Sequence, residues 1–296
     1  LAEAAGRVLA RDVAASRDQP PFAASAMDGY AVIGQEAEPD AMFKVIGVSA
    51  AGQGYSGALR PGQTVRIFTG APVPEGASRV IMQEDVIRRG DVITLGQNLG
   101  SNANIRVAGA DFKNGDQFRA PRLLTPDDIA LLAAMNIARV PVRRRPDVAI
   151  MATGNELVMP GETPGPDQII ASNGFGLKAM LTAAGANARM LPIARDNLAS
   201  LRMGFELAAG ADLIVTIGGA SVGDHDLVGQ VTTDLGMDRA FYKVAMRPGK
   251  PLMAGRMAKS VMVGLPGNPV SSMVCGRIFL LPALRVMMGF PAGRLP

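Results

Sequence analysis

Cysteine and histidine each occur once in this 296-residue chain, as Cys275 and His225. A single cysteine excludes an intramolecular disulfide and a cysteine-based zinc cluster, and a single histidine cannot form a zinc site alone. Cys275 sits in an apolar pattern and reads as a core residue of a protein kept in a reducing, cytoplasmic compartment. An excess of charge is also lacking. Lys and Arg number 30 against 26 Asp and Glu, and a net +4 is too small to indicate nucleic acid. A pI near 9.5 suits anionic small molecules instead. No apolar run approaches membrane-spanning length, and no signal peptide, internal repeat or low-complexity tract is visible. The basic cluster at residues 143–145, bracketed by Pro141 and Pro146, reads as a solvated connector. The chain opens at Leu1 rather than Met and stops soon after a long apolar helix, as a piece of a longer protein would.

What is present is enough apolar sequence for packed cores, 48% of residues, and a length that suggests about two domains. The central stretch is residues 213–226, where the β-branched run Leu-Ile-Val-Thr-Ile breaks into a glycine loop ending in acids. The run is too short for a helix and reads as a buried strand. Gly218, Gly219 and Gly223 permit positive φ and close approach of a ligand to the main chain, Ser221 adds a hydroxyl, and a helical pattern begins at Asp226. A bare βα turn is the plain reading of such a loop. Its order of strand, glycine loop and helix start also fits a ligand site at the carboxyl edge of an α/β sheet.

Before that region the pattern is different. Residues 1–10 look like the end of an amphipathic helix, and β-rich runs recur at 43–48, 64–68, 80–83 and 92–95, the spacing of a small sheet or barrel. Asp28-Gly29 is a turn signal leading into a strand, Thr69-Gly70 on its own is a turn, and Glu84 with Asp85 reads as a solvated pair. Thr125-Pro126-Asp127-Asp128 is a strong helix start, for a helix reaching about Asn136 and a strand at 138–142. From Asp147 strands and helices alternate, which predicts a doubly wound, mostly parallel sheet.

The strand ends of this second half carry a consistent set of polar residues. They are Thr153-Gly154-Asn155-Glu156, Arg195-Asp196, the glycine loop, Lys243 with Arg247-Pro248-Gly249-Lys250, and Pro266-Gly267-Asn268-Pro269-Val270-Ser271. All are expected on one sheet edge, as a rim with three acids, three bases and two backbone cradles for anions. Acids beside a phosphate site point to a divalent metal, with Glu156, Asp196 and Asp226 as its ligands. Lys243, Arg247 and Lys250 would supply further positive charge.

Six motifs in order, beginning with Ser25-Ala26-Met27-Asp28-Gly29-Tyr30-Ala31 and Thr69-Gly70-Ala71-Pro72, closely resemble the MoeA family of molybdopterin molybdenumtransferases. The others are Thr153 to Leu157, Gly218 to Asp224, Arg247 to Pro251 and Gly264 to Ser271. The resemblance covers nearly the whole chain. It implies insertion of molybdate into adenylylated molybdopterin with release of AMP, dependent on Mg2+. It also implies a homodimer in which the β-rich domain of one subunit faces the pterin site of the other. The adenylyltransferase of the same pathway is a further implied partner; nucleic acid and membrane are not. The implied domains are a discontinuous linker and dimerisation domain at 1–15 and 107–145, a β-rich domain at 16–106 and a MogA-like molybdopterin-binding α/β domain at 146–290. The family's extra N-terminal segment and small C-terminal β domain are not expected within residues 1–296.

Carried over by motif, the family's functional residues are Asp28, Thr69, Asp111, Glu156, Asp196 and Asp226, with the bases Lys243, Arg247 and Lys250 and the prolines Pro266 and Pro269. Asp28, Thr69, Asp111, Lys243 and Arg247 are the implied catalytic set. Gly218, Gly219, Ser221, Gly223, Asp226, Lys250, Pro266, Gly267, Asn268, Pro269 and Ser271 are the implied pterin and phosphate set. Asn155 stands where some members have Asp, and Arg247 where some have Lys. The alternatives are a molybdopterin adenylyltransferase, which resembles only the region after Asp147, and a gephyrin-E-like scaffold binding a partner peptide.

Overall fold

Contacts divide the chain into two units, and the computed structural model describes residues 1–219 and 227–292. The first unit comprises Leu1–Glu3, Asp12–Arg119 and Thr125–Val140. Its sheet has six strands: β1 (Gly29–Val32), β2 (Met42–Ser49), β3 (Gln63–Ile67), β4 (Arg79–Met82), β5 (Val86–Arg89) and β6 (Val92–Leu95). They lie in the order β4-β1-β3-β2-β6-β5, with only β2 and β3 parallel. Alternation along β1 feeds two cores. Tyr30 and Val32 pack with Phe43, Ile81 and Ile93, while Ala31 packs with Ile67 and Val80. Gly29 is required here because a Cβ would stand 1.9 Å from the Ile81 carbonyl oxygen. Helix α1 (Pro126–Ala134) starts as expected, with Thr125 Oγ1 accepting from the Asp128 N–H at 3.2 Å and Asp128 Oδ2 accepting from the Thr125 N–H at 3.0 Å.

The second unit comprises Ala4–Arg11, Ala120–Leu124 and Pro141–Pro296. Its elements are β7 (Asp147–Ala152), α2 (Asn173–Ala183), β8 (Asn187–Met190), α3 (Leu198–Leu207), β9 (Leu213–Ile217), α4 (Leu227–Asp234), β10 (Asp238–Tyr242), β11 (Met253–Met257), β12 (Ser260–Leu265), α5 (Pro269–Cys275) and α6 (Leu281–Met287). The sheet order is β8-β7-β9-β12-β11-β10; the first four strands are parallel, as the alternating pattern predicts, and β11 runs against both neighbours. The β-branched strands are buried on both faces. Val148, Ile150, Val215 and Leu265 meet Leu177 and Leu181 of α2 with Cys275, Leu280 and Leu284, and Ala149, Met151 and Ile214 meet Leu201, Phe205, Val228 and Val231 of α3 and α4.

Three expectations need correction, and one needs detail. Residues 1–10 form no helix: Gly6 has φ +70°, and Val8 and Leu9 pair as a short strand with Leu123 and Arg122. Residues 138–142 form no strand, only a bridge from Val142 to Leu9. The cluster at 143–145 is exposed, as a solvated connector would be, and Arg144 within it holds Asp212 through two bonds of 2.8 and 2.6 Å, keeping that carboxyl below the usual carboxylate range. The helical run Pro269–Met287 is long and apolar enough to cross a membrane by length and composition, but Cys275, Leu280 and Leu284 belong to the α/β core.

Candidate active site at the carboxyl edge of the sheet

The register aligns Ala152, Ile217 and Leu265, so the chain leaves β7, β9 and β12 at one level. Beyond that level lies a cavity of about 710 Å³. Its wall contains Thr153, Gly154, Glu156, Asp196, Gly218, Gly219, Gly267, Asn268 and Pro269, with Ile169, Leu201, Leu227 and Val228 as apolar surface. The structure therefore gathers polar residues from four strand ends, as the sequence suggested. The wall combines main-chain surface, two carboxylates and apolar side chains, a lining that can take a ligand with both polar and apolar parts.

Each loop has a local reason for its shape. The Gly218 N–H donates to the Leu265 carbonyl at 3.0 Å, and Gly218 and Gly219 have φ of +88° and +69°. Asn268 caps the helical run from Pro269: its Oδ1 accepts from the Ser271 N–H at 3.1 Å and from Ser271 Oγ at 3.2 Å. Asn173 at the start of α2 donates to the Gly267 carbonyl at 2.7 Å, a contact the sequence did not reveal, although an Asn opening a helix beside a strand end is a visible signal. Pro266 is buried, which fixes where the exposed Gly267 leaves the sheet.

The two acids differ in attachment. Asp196 Oδ2 accepts from the Asn155 N–H at 3.2 Å while the Asp196 N–H donates to Asn155 Oδ1 at 3.1 Å, so the two segments lock reciprocally. Among the described residues the Glu156 carboxylate accepts no hydrogen bond and makes no ion pair, and it folds over Gly154. No group of three His, Cys, Asp or Glu side chains among the described residues is placed to hold a metal. Ser221, Gly223, His225 and Asp226 lie outside the described residues.

Lys243, Arg247 and Lys250 are not in the cavity wall. Their loop nevertheless belongs to the same edge, because Tyr242 aligns with Met253, Met253 with Gly264 and Gly264 with Thr216. The strand β11 was not anticipated, and it turns what looked like one more βα unit into a hairpin. The Lys243 N–H donates to the Leu252 carbonyl at 2.8 Å, and none of the three bases forms an ion pair among the described residues. Gly249 is buried, and a Cβ there would stand 2.6 Å from Cys275 Sγ, so the turn between the bases is seated on the core.

In the first unit, Thr69 lines a separate cavity of about 490 Å³ with Ser25, Gly70 and Arg106. Asp28 Oδ1 accepts from both the N–H and the hydroxyl of Thr69 at 2.7 Å, and Asp111 pairs with Arg106. Asp28 is held below the usual carboxylate range, first by the Thr69 main-chain N–H, then by its hydroxyl, with Arg66 adding a Coulomb contribution. A depressed folded pKa gives stability that is present above the unfolded value and is lost as pH falls through the folded one. Wild type should therefore exceed Asp28→Asn in denaturation midpoint at pH 6, and the gap should narrow as pH falls below the ordinary carboxylate range. An unchanged gap across that range would show that the charge is not what Thr69 stabilises.

Fold and cavity together define an α/β protein of the class whose candidate ligand site opens at the carboxyl edge of a mostly parallel sheet. Residues 1–136 match the MoeA N-terminal region (domain I and II), and residues 149–286 match a probable molybdopterin binding domain. The molybdopterin molybdenumtransferase of Haemophilus influenzae is 37% identical over 292 residues, covering 98% of this chain and 72% of the relative. Molybdopterin molybdenumtransferase 2 of Mycobacterium tuberculosis is 37% identical over 305 residues, covering 98% and 75%. Two crystal structures of the molybdopterin biosynthesis MoeA protein of Pyrococcus horikoshii superpose with TM-scores of 0.84 and 0.82 at 32% and 28% identity, covering 97% of this chain and 74% and 73% of theirs. The chain belongs to the MoeA family, the molybdopterin molybdenumtransferases.

Proposed function

We propose that this chain inserts molybdenum into molybdopterin, consuming adenylylated molybdopterin and molybdate, releasing AMP and depending on Mg2+, as a cytoplasmic homodimer. The observation that carries the reading is the single cavity into which Gly218-Gly219, the Gly267-Asn268 turn and the carboxylates of Glu156 and Asp196 converge. The MoeA N-terminal match over residues 1–136 favours it over an adenylyltransferase resembling only the region after Asp147.

The partners are anions, and like charges about 4 Å apart repel by roughly 4 kcal/mol at an effective dielectric of 20. The glycine turns meet phosphate with N–H dipoles, without any side-chain charge. Lys243 and Arg247 receive molybdate and the charge that develops as it enters, and Lys250 adds attraction at the rim. Glu156 and Asp196, two exposed carboxylates in one wall, fit a hard divalent cation, with Asp226 as the third ligand of this reading. When bound, Mg2+ neutralises phosphate oxygens and helps the phosphoanhydride to part. Asp28, Thr69 and Asp111 act from the first unit and complete the site of the partner copy. No side chain needs to act as a nucleophile. The domain division at 1–15 with 107–145, 16–106 and 146–290 belongs to the same reading.

Incubating the purified chain with adenylylated molybdopterin, molybdate and Mg2+ should release AMP in step with molybdenum bound to pterin, both measured by mass spectrometry. The same preparation should sediment at twice the chain mass. AMP release without molybdenum incorporation would make the chain a hydrolase and end this reading.

A further inference from the structure

Arg195 immediately precedes Asp196, and its guanidinium forms no ion pair among the described residues. Its Nη1 instead meets three main-chain carbonyls, those of Gly154 at 3.4 Å, Asn155 at 3.1 Å and Leu157 at 3.0 Å. The carbonyl between them, of Glu156, accepts from the Ile169 N–H at 2.7 Å. Every carbonyl from 154 to 157 is thereby satisfied, three of them by one side chain. The base of that side chain is itself fixed. The Arg195 N–H donates to Ser200 Oγ at 2.9 Å, and the Ser200 N–H donates to Asn197 Oδ1 at 2.9 Å in the capped first turn of α3.

We infer that Arg195 is a positioning residue that holds the loop after β7 against the loop after β8, and so sets the spacing of the Glu156 and Asp196 carboxylates for a divalent cation. The inference rests on the proposed metal role of these two acids. Its physical basis is that three carbonyl dipoles gathered beside two carboxylates repel one another, and one permanently charged nitrogen placed among them offsets that repulsion. The Asn155–Asp196 pair locks the same two segments laterally. Lysine at 195 would keep the charge on a side chain one bond shorter and without the rigid guanidinium plane, so its ammonium would fall short of the place Nη1 holds among the carbonyls.

Mn2+ binding to the full chain, followed by electron paramagnetic resonance in the absence of substrate, tests this directly. Arg195→Lys should weaken Mn2+ binding about tenfold, the scale of residues that orient metal ligands, while Glu156→Gln and Asp196→Asn should each lose it almost completely. Normal Mn2+ binding by Arg195→Lys, with binding lost in the two acid variants, overturns the role of Arg195. Normal binding by all three variants instead removes the metal reading on which the inference rests. If Arg195→Lys does not fold, Arg195→Ala with added ethylguanidinium takes its place. Recovery of Mn2+ affinity without a change in melting temperature supports the inference, and failure to recover refutes it.

Discussion

Glu156→Gln should reduce molybdenum insertion by about two orders of magnitude, roughly 2.7 kcal/mol of lost transition-state stabilisation, with the melting temperature almost unchanged. The side chain is exposed in the cavity wall, and its carboxylate accepts no hydrogen bond among the described residues. Gln has the same shape, and exposed substitutions of this kind usually stay within about 0.5 kcal/mol, so folding has little to lose. What disappears is one negative charge aimed into the cavity. Turnover by quantified molybdopterin-bound molybdenum, with thermal denaturation alongside, separates the two effects. Activity equal to wild type would remove Glu156 from the site.

A second large effect is expected at Gly219. With φ at +69°, any other residue there adopts a left-handed conformation that costs about 1–2 kcal/mol, and an added Cβ would stand 2.4 Å from Val228 Cγ2 and 2.8 Å from Thr153 Oγ1. Gly219→Val must therefore push away the loop after β7 or the first turn of α4. A destabilisation of about 3 kcal/mol and near-complete loss of insertion are expected, read by chemical denaturation and by molybdenum transfer. Gly267→Ala is the contrast. Its nearest neighbour would be Gly218 Cα at 3.5 Å, an ordinary contact, so stability should hold. Any activity lost in that variant reports how closely the substrate approaches the main chain. A fully stable, active Gly219→Val would mean that the turn is built differently.

The parallel half of the sheet was legible because runs such as Leu213–Ile217 are β-branched, short and followed by glycine, and burial on both faces leaves no polar alternation to confuse the pattern. The strand β11 escaped because Met253–Met257 reads Met-Ala-Gly-Arg-Met, with no β-branched residue, and its turn places Ala258 rather than Gly at φ +51°. Residues 1–10 misled for the opposite reason. Leu1, Ala4, Val8 and Leu9 have helical spacing, but positive φ at Gly6 and pairing with residues 122 and 123 decide the outcome. At the site, the motifs placed Glu156, Asp196 and the glycine turns on one edge, whereas the carbonyls that Arg195 and Asn173 meet, distant in sequence, are shown only by the hydrogen bonds. A main-chain acceptor has no side-chain signature, so sequence patterns cannot show which carbonyl a side chain will meet.

The hairpin of β10 and β11 gives the two sides of the rim different responses to ionic strength. On the parallel side the proposed attraction comes from main-chain N–H groups of the half-buried and exposed glycine turns, which carry no net charge for mobile ions to screen. On the antiparallel side it comes from exposed Lys243, Arg247 and Lys250, whose reach shrinks to the Debye length of about 8 Å at physiological salt. On the proposed assignment of phosphate to the glycine turns and molybdate to the bases, the two anions are drawn in by forces that fade at different rates as salt is added, and molybdate binding should weaken first.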